Sequence, residues 1–332
     1  MTKSTVFIKL FNKQALADRN ETRSRDDIKQ SQVLFKKLSD VRIRAKLTPE
    51  RLAEIEAHLR RKFPSFNDVT DTIFQELVIS SHSPSKGVYF SPLLLLGPPG
   101  VGKTFYAQEL SELLGLGFEK IDLSTTTGVM VVTGSTSQWS GSKPGLVASH
   151  LLQNPLANFV LFLDEIDKAG QKSSNGGYIN NSLLTLLEPE TARTFQDEYV
   201  QVPIDASHIC IIATANNINN IEDPILSRMK IVNVTEPTSA QLRQIAPYAL
   251  ENILKNFEVE GLLSANLDKA ALDALQINKV SVRQLNQVLR KALELCIRDE
   301  AERVSEIHIT KAIEIFNGVT KKPEQKPSKK LH

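Results

Sequence analysis

The sequence predicts an α/β protein, with a parallel sheet covered by helices in an αβα sandwich and a smaller all-helical domain after it. Three observations lead there. Short apolar runs alternate with helical stretches over residues 89–162, the pattern of parallel strands joined by crossover helices. One such run, Leu93 to Leu96, feeds directly into Gly97-Pro98-Pro99-Gly100-Val101-Gly102-Lys103-Thr104, a glycine-rich turn that opens a helix. Beyond Pro237 the apolar spacing is helical throughout.

Residues 1–45 read as an N-terminal arm, because 12–32 are charged and polar with little apolar periodicity, so the arm is mobile or needs a partner. An α/β domain is expected over 46–236. It opens with a helix capped by Thr48, with Pro49 in its first turn and Leu52, Ile55, Leu59 and Phe63 on one face, until Pro64 stops it. A second helix carries Val69, Ile73, Phe74 and Leu77 as its stripe. Strands are expected over 93–96, 118–123, 159–163 and 208–214. The helical lid domain is expected over 237–318, and Leu285, Val288, Leu289, Ala292 and Cys296 keep the 3.6-residue period in its last strong helix. A basic, disordered tail is expected over 319–332, where five Lys and two Pro follow residue 320 with no apolar stripe.

Bulk properties exclude several classes. Forty basic against 38 acidic residues leave a net charge of +2, which gives no mandate for nucleic acid or an anionic membrane. The first residues lack the apolar core of a signal peptide, and no run approaches the roughly 18 apolar residues of a membrane span, so a cytoplasmic protein without a membrane partner is expected. Cys210 and Cys296 are the only cysteines, too few for a disulfide framework and without zinc-site spacing.

Gly97, Gly102, Lys103 and Thr104 satisfy G-x-x-x-x-G-K-[ST], a loop that cradles phosphates. Glycines let backbone N–H groups face the β-phosphate, the helix N-terminus adds partial positive charge, and Lys103 adds a full one. The Thr104 hydroxyl is placed for Mg²⁺. Sixty residues later, Phe159 to Leu163 runs as an apolar strand into Asp164-Glu165-Ile166-Asp167, delivering carboxylates at the edge where open parallel sheets bind ligands. Asp164 is expected to hold Mg²⁺, an ion that keeps its waters and takes few carboxylates, and Glu165 to orient and deprotonate the attacking water.

With those residues in view, the chain resembles the AAA+ superfamily of P-loop NTPases, and within it the ATPase module of the Lon protease family. The likeness is densest over 93–234 and weaker to about Gly318, on the stretches GPPGVGKT, FLDEIDK, LLTLLEPETARTFQDEYVQVPID, IIATANN and DPILSRMKIV. The third is the most diagnostic, since many ATPases share the nucleotide motifs. The resemblance implies ATP and Mg²⁺ as ligands and makes Asn216 a sensor of the γ-phosphate. It makes Arg228 an arginine finger that reaches a neighbouring subunit's ATP, and Arg283 a second sensor on the lid. It further implies a homo-oligomer, a hexameric ring, and a substrate-gripping pore loop at Trp139, the chain's single Trp. Two positions depart from the family: Ser227 stands where Asp is usual, and Ser281 where Gly is common.

Because the sequence ends where the Lon family's protease domain would start, no proteolytic activity of its own is expected. The leading expectation is an ATP-driven remodeller of a protein substrate, working alone or for a separately encoded effector. Two alternatives stay open. One is an ATP-dependent assembly switch that recruits or regulates a partner. The other is a nucleic-acid-associated AAA+ protein using Lys321, Lys322, Lys326, Lys329 and Lys330, which the near-neutral charge does not favour.

Overall fold

The computed structural model describes residues 7–21, 41–43, 45–83, 87–125, 130–135, 142–169, 176–261, 263–278 and 280–320. It divides into two units, Met1–Arg60 with Phe66–Thr235, and Arg61–Ser65 with Glu236–His332. Among the described residues no helix is long and apolar enough to cross a membrane.

The first unit begins with a short antiparallel pair, β1 (Phe7–Lys9) and β2 (Val41–Ile43). Its main sheet is built from β3 (Leu93–Leu96), β4 (Gly117–Asp122), β5 (Phe159–Asp164), β6 (Cys210–Ala215) and β7 (Lys230–Asn233), in the order β4-β5-β6-β3-β7. Every pairing in it is parallel. All six residues of β6 are buried, as are the first five of β5, because both lie inside the sheet with neighbours on each side. This is the parallel α/β sheet that the sequence predicts, and its strands coincide with the expected ones to within two residues. The exception is β7, an edge strand with three of its four residues exposed, so it shows no apolar run to read.

Chain order runs from β3 across to the far edge at β4, back through β5 and β6, and past β3 to β7. The carboxyl ends of β3, β5 and β6 therefore lie side by side at the reversal, where open α/β sheets form their binding crevice. Helix Lys103–Leu114, which follows β3, is seated by Tyr106. Its ring stacks on Phe66 with centroids 4.7 Å apart and its hydroxyl lies 2.9 Å from that of Thr70.

Described residues on either side of the polar stretch 12–32 contact the rest of the first unit. Phe11 bridges Ile204, and Asp205 N donates to Leu10 O at 2.8 Å. Arg42, 4% exposed, donates through Nε to Leu151 O and through Nη2 to Leu152 O, both at 2.9 Å. The guanidinium thus satisfies carbonyls at the end of helix Leu146–Gln153, a task that lets a charged residue sit inside. Nothing in the periodicity of a polar segment signals this. Residues 22–40 and the tail from residue 321 lie outside the described residues.

Asp205 helps tie this seam. Its carboxylate accepts from Ser207 N at 3.0 Å and Ser207 Oγ at 2.6 Å, and it faces His208 Nε2 at 3.5 Å. Burial alone would raise its pKa, but the hydrogen bonds from His208 and Ser207 outweigh burial and depress it to about 2. A carboxylate depressed on folding stabilises above its unfolded value of roughly 3.9 and loses that contribution as pH falls through the folded value. Unfolding titrations should therefore show stability falling between about pH 4 and pH 2. Asp205→Asn should be less stable at neutral pH and flatter across that window; an unchanged slope would assign the acid sensitivity elsewhere.

The second unit is helical, with helices Ser239–Asn256, Lys269–Ile277, Val282–Arg298 and Glu306–Thr320. Leu285, Val288, Leu289, Ala292 and Cys296 are buried in its core beside Leu242, Ala246 and Leu250. Thr238 and Ser281 each close a capping box, with Gln241 and Gln284 respectively, which fixes where two of the helices begin. The cap also gives Ser281 a structural job in the place where the family commonly has Gly.

Candidate active site

The phosphate loop leaves β3 through Gly97, whose N–H donates to Ala215 O at 3.1 Å and so ties the loop's first residue to the end of β6. A Cβ at Gly97 would stand 2.1 Å from Val234 O, a backbone atom that cannot swing away. Gly97→Ala should therefore destabilise the fold by about 2–3 kcal/mol, measured by chemical denaturation, and native stability in that variant would contradict the packing. Gly100 and Gly102 have φ of 84° and 103°, a region that disfavours side chains. They turn the chain into helix Lys103–Leu114.

Lys103 is the centre of the cluster. Its Nζ donates to Gly97 O at 2.5 Å, Pro98 O at 3.1 Å, Ala215 O at 3.5 Å and Asn216 Oδ1 at 3.1 Å. Burial pushes its ammonium below the ordinary lysine range, while Asp164, Asp167 and Glu165 act against that shift and favour the charge. Two predicted site residues more than a hundred positions apart, Lys103 and Asn216, are in direct contact. Thr104 follows in the same first turn, half-buried.

On the next strand but one, Asp164 ends β5. Its Oδ1 accepts from the Thr214 hydroxyl at 2.7 Å and its Oδ2 pairs with Lys120 Nζ at 2.6 Å. Glu165 follows with φ 54°, a left-handed backbone that costs a non-glycine residue on the order of 1–2 kcal/mol. Its N–H donates to Thr214 Oγ1 at 3.0 Å, which helps to hold that turn. Asp167, fully buried, accepts from Asn217 N at 3.2 Å and links the turn after β5 to the end of β6. Thr214 and Lys120 are the residues that reading the sequence missed, while Asp167 reads there only as one of the carboxylates after the strand. The available signal was a lone hydroxyl in the buried run Ile211-Ile212-Ala213-Thr214-Ala215.

Arg228 follows helix Asp223–Leu226 and pairs through Nε with Glu188 Oε1 at 2.7 Å, while its Nη1 donates to Pro224 O at 2.7 Å. Neither partner belongs to the Lys103 cluster. Arg283 is exposed in the first turn of helix Val282–Arg298, in the helical unit. Trp139 lies outside the described residues, but described residues on either side of it are tied. Ser135 N donates to Lys143 O at 3.1 Å, and Gly145 N to the buried Asp197 at 2.8 Å. Asp197 also accepts from Tyr199 N and Val200 N at 2.9 and 3.0 Å. Burial raises its pKa, and these N–H bonds oppose the rise.

The donor set suits a phosphate and a hard cation: backbone N–H groups and an ammonium at the loop, then a hydroxyl and a carboxylate, all oxygen ligands. An ammonium already stands against Asp164 Oδ2, so a cation is accommodated there.

Known proteins resemble this chain in sequence and in fold. The family described as "ATPase family associated with various cellular activities (AAA)" matches residues 93–236. Lon protease 1 of Bacillus subtilis (strain 168) is 32% identical over 222 residues, covering 64% of this chain and 28% of the relative. Lon protease of Malacoplasma penetrans (strain HF-2) is 30% identical over 265 residues, covering 77% and 33% respectively. The chain thus spans about a third of the length of these relatives. Among solved structures, Hsp104 with ATPγS and FITC-casein matches with TM-score 0.60 at 19% identity, covering 76% of this chain and 49% of that one. A RuvB mutant from Thermotoga maritima matches at TM-score 0.50 and 15% identity, covering 82% and 74%. These two share the fold. With the phosphate loop and the Asp164-Glu165 pair at the carboxyl ends of neighbouring strands, residues 93–236 form an AAA ATPase domain similar to the ATPase region of Lon proteases.

Proposed function

We propose that the chain works as a homo-oligomeric AAA+ ATPase, a hexameric ring, that couples Mg²⁺-dependent ATP hydrolysis to remodelling or unfolding of a protein substrate. The observation that carries it is the convergence of Lys103, Asp164, Glu165 and Asn216 at the carboxyl ends of β3, β5 and β6.

Residues Gly97 to Thr104 hold the phosphates, with Lys103 exchanging its loop carbonyls for phosphate oxygens. Thr104 and Asp164 are the residues that would hold Mg²⁺, which when bound offsets negative charge on the phosphates. Glu165 takes the proton of the attacking water and Asn216 orients that water. Arg228 supplies a guanidinium to a neighbouring copy's nucleotide, and Arg283 is the second sensor, reporting γ-phosphate to the helical domain that carries it. Trp139 grips substrate. A cytoplasmic setting and a partner protein or separately encoded effector belong to this reading. The match covers only part of the Lon relatives, so their proteolysis is not carried over, and no proteolytic centre is assigned within these residues.

If the sites are shared between copies, turnover per chain must depend on assembly. Specific ATPase activity measured against protein concentration, with mass determined in parallel, should rise at least about 10-fold as the oligomer forms. It should rise again when an unfolded protein is added. Equal turnover per chain in the monomer would rule out the shared site; assembly with ATP but no response to any protein substrate would select the assembly switch.

A further inference from the structure

We propose that Thr214 is a positioning residue for this ATPase, setting through one hydroxyl both the carboxylate expected to hold Mg²⁺ and the backbone of the residue expected to be the base. The inference rests on the functional reading of Asp164 and Glu165 given above.

Thr214 sits on β6 opposite Leu95 of β3 and is 1% exposed. On its other side the β5–β6 ladder ends at the pair Leu163 and Ala213, so Thr214 lies one step past the last paired residue, level with Asp164. Backbone pairing has stopped there, and the side chain takes over. A hydroxyl carries one proton. Toward a carboxylate Thr214 can only donate, and it does so to Asp164 Oδ1 at 2.7 Å. Its oxygen then receives the Glu165 N–H at 3.0 Å. The two bonds have opposite polarity, so each strengthens the other.

The consequences follow from this direction. Oδ1 of Asp164 is occupied, which fixes the carboxylate's rotation and leaves Oδ2 on the side where a cation, at present the Lys120 ammonium, stands. The same hydroxyl holds the N–H of a residue in a left-handed conformation, φ 54°, that the chain would otherwise relax. Packing alone does not require a threonine: valine has the same branched shape, and the neighbouring residues of β6 are Ile211, Ile212 and Ala213. What valine lacks is the bridge.

The test compares the full chain with Thr214→Val and Thr214→Ser. It measures turnover at saturating ATP, binding of a fluorescent ATP analogue with Mg²⁺ and with EDTA, and thermal unfolding. Thr214→Val is expected to bind the analogue in EDTA within about 2-fold of the native chain, to lose most of the Mg²⁺-dependent gain in affinity, and to turn over about 100-fold more slowly. Thr214→Ser, which keeps the hydroxyl, should recover both properties. The proposal is overturned if Thr214→Val keeps its Mg²⁺ dependence, or if Thr214→Ser is as impaired as Thr214→Val, since shape would then be what matters. Should Thr214→Val fail to fold, Thr214→Ala carries the same expectation and the same overturning result. The Mg²⁺ dependence of binding is read whether or not the chain turns over, so absence of native turnover would sink the ATPase reading and still leave this arm decisive.

Discussion

Glu165→Gln should lower ATP turnover by about 10²- to 10⁴-fold while leaving nucleotide affinity nearly unchanged, the range expected when a general base is lost. The substitution swaps one oxygen for an NH₂ and keeps the side chain's length. The N–H bond to Thr214 and the left-handed turn are backbone features, so they persist. Lys103 with its loop carbonyls is likewise untouched. What disappears is a group able to accept the water's proton. Phosphate release and nucleotide retained through gel filtration measure the two halves, and the variant should stay ATP-loaded with whatever it engages still attached. Turnover within about 3-fold of native would mean that Glu165 is not the base and that its neighbour Asp167 has to be considered.

Arg228→Ala should bind ATP as the native chain does and hydrolyse it on the order of 10³-fold more slowly, the typical effect of removing an arginine that stabilises a phosphoryl-transfer transition state. Arg228 is engaged with Glu188, but both side chains are partly exposed, at 31% and 42%. A pair of that kind is worth roughly 0–1 kcal/mol, so it cannot hold the guanidinium against a triphosphate. Mixing supplies the decisive comparison. Lys103→Met chains should bind nucleotide poorly yet still present Arg228, and adding them to Arg228→Ala chains should restore part of the turnover. No recovery in mixed oligomers would place the action of Arg228 within its own chain.

Much of this site could be read from one dimension because its parts are local. The phosphate loop, the turn after it and the helix start need consecutive residues, since backbone conformation and adjacent charge do the work; Gly100, Gly102 and Lys103 show it directly. The Asp164-Glu165 pair announces itself because a fully buried strand must end before a carboxylate can be solvated. Periodicity likewise reveals helix Val282–Arg298, whose apolar stripe is its packing face.

Other features depend on which distant segments meet. Strand β7 is exposed and short, so only its pairing with β3 makes it a strand. Arg42 reads as a surface charge until the carbonyls of Leu151 and Leu152 receive it. Lys120 becomes relevant only because β4 lies beside β5 and brings an ammonium to Asp164. Thr214 is the sharpest case: fifty residues separate it from the groups it joins. By itself, then, the sequence determined the α/β class, the phosphate loop and the carboxylate pair, because these are written in adjacent residues and fixed spacings. The tertiary structure alone decided that Lys103 meets Asn216, that Lys120 meets Asp164, and that one hydroxyl ties Asp164 to Glu165. Hydrogen bonds and ion pairs act over a few ångströms of space, and only the folded sheet makes those residues neighbours.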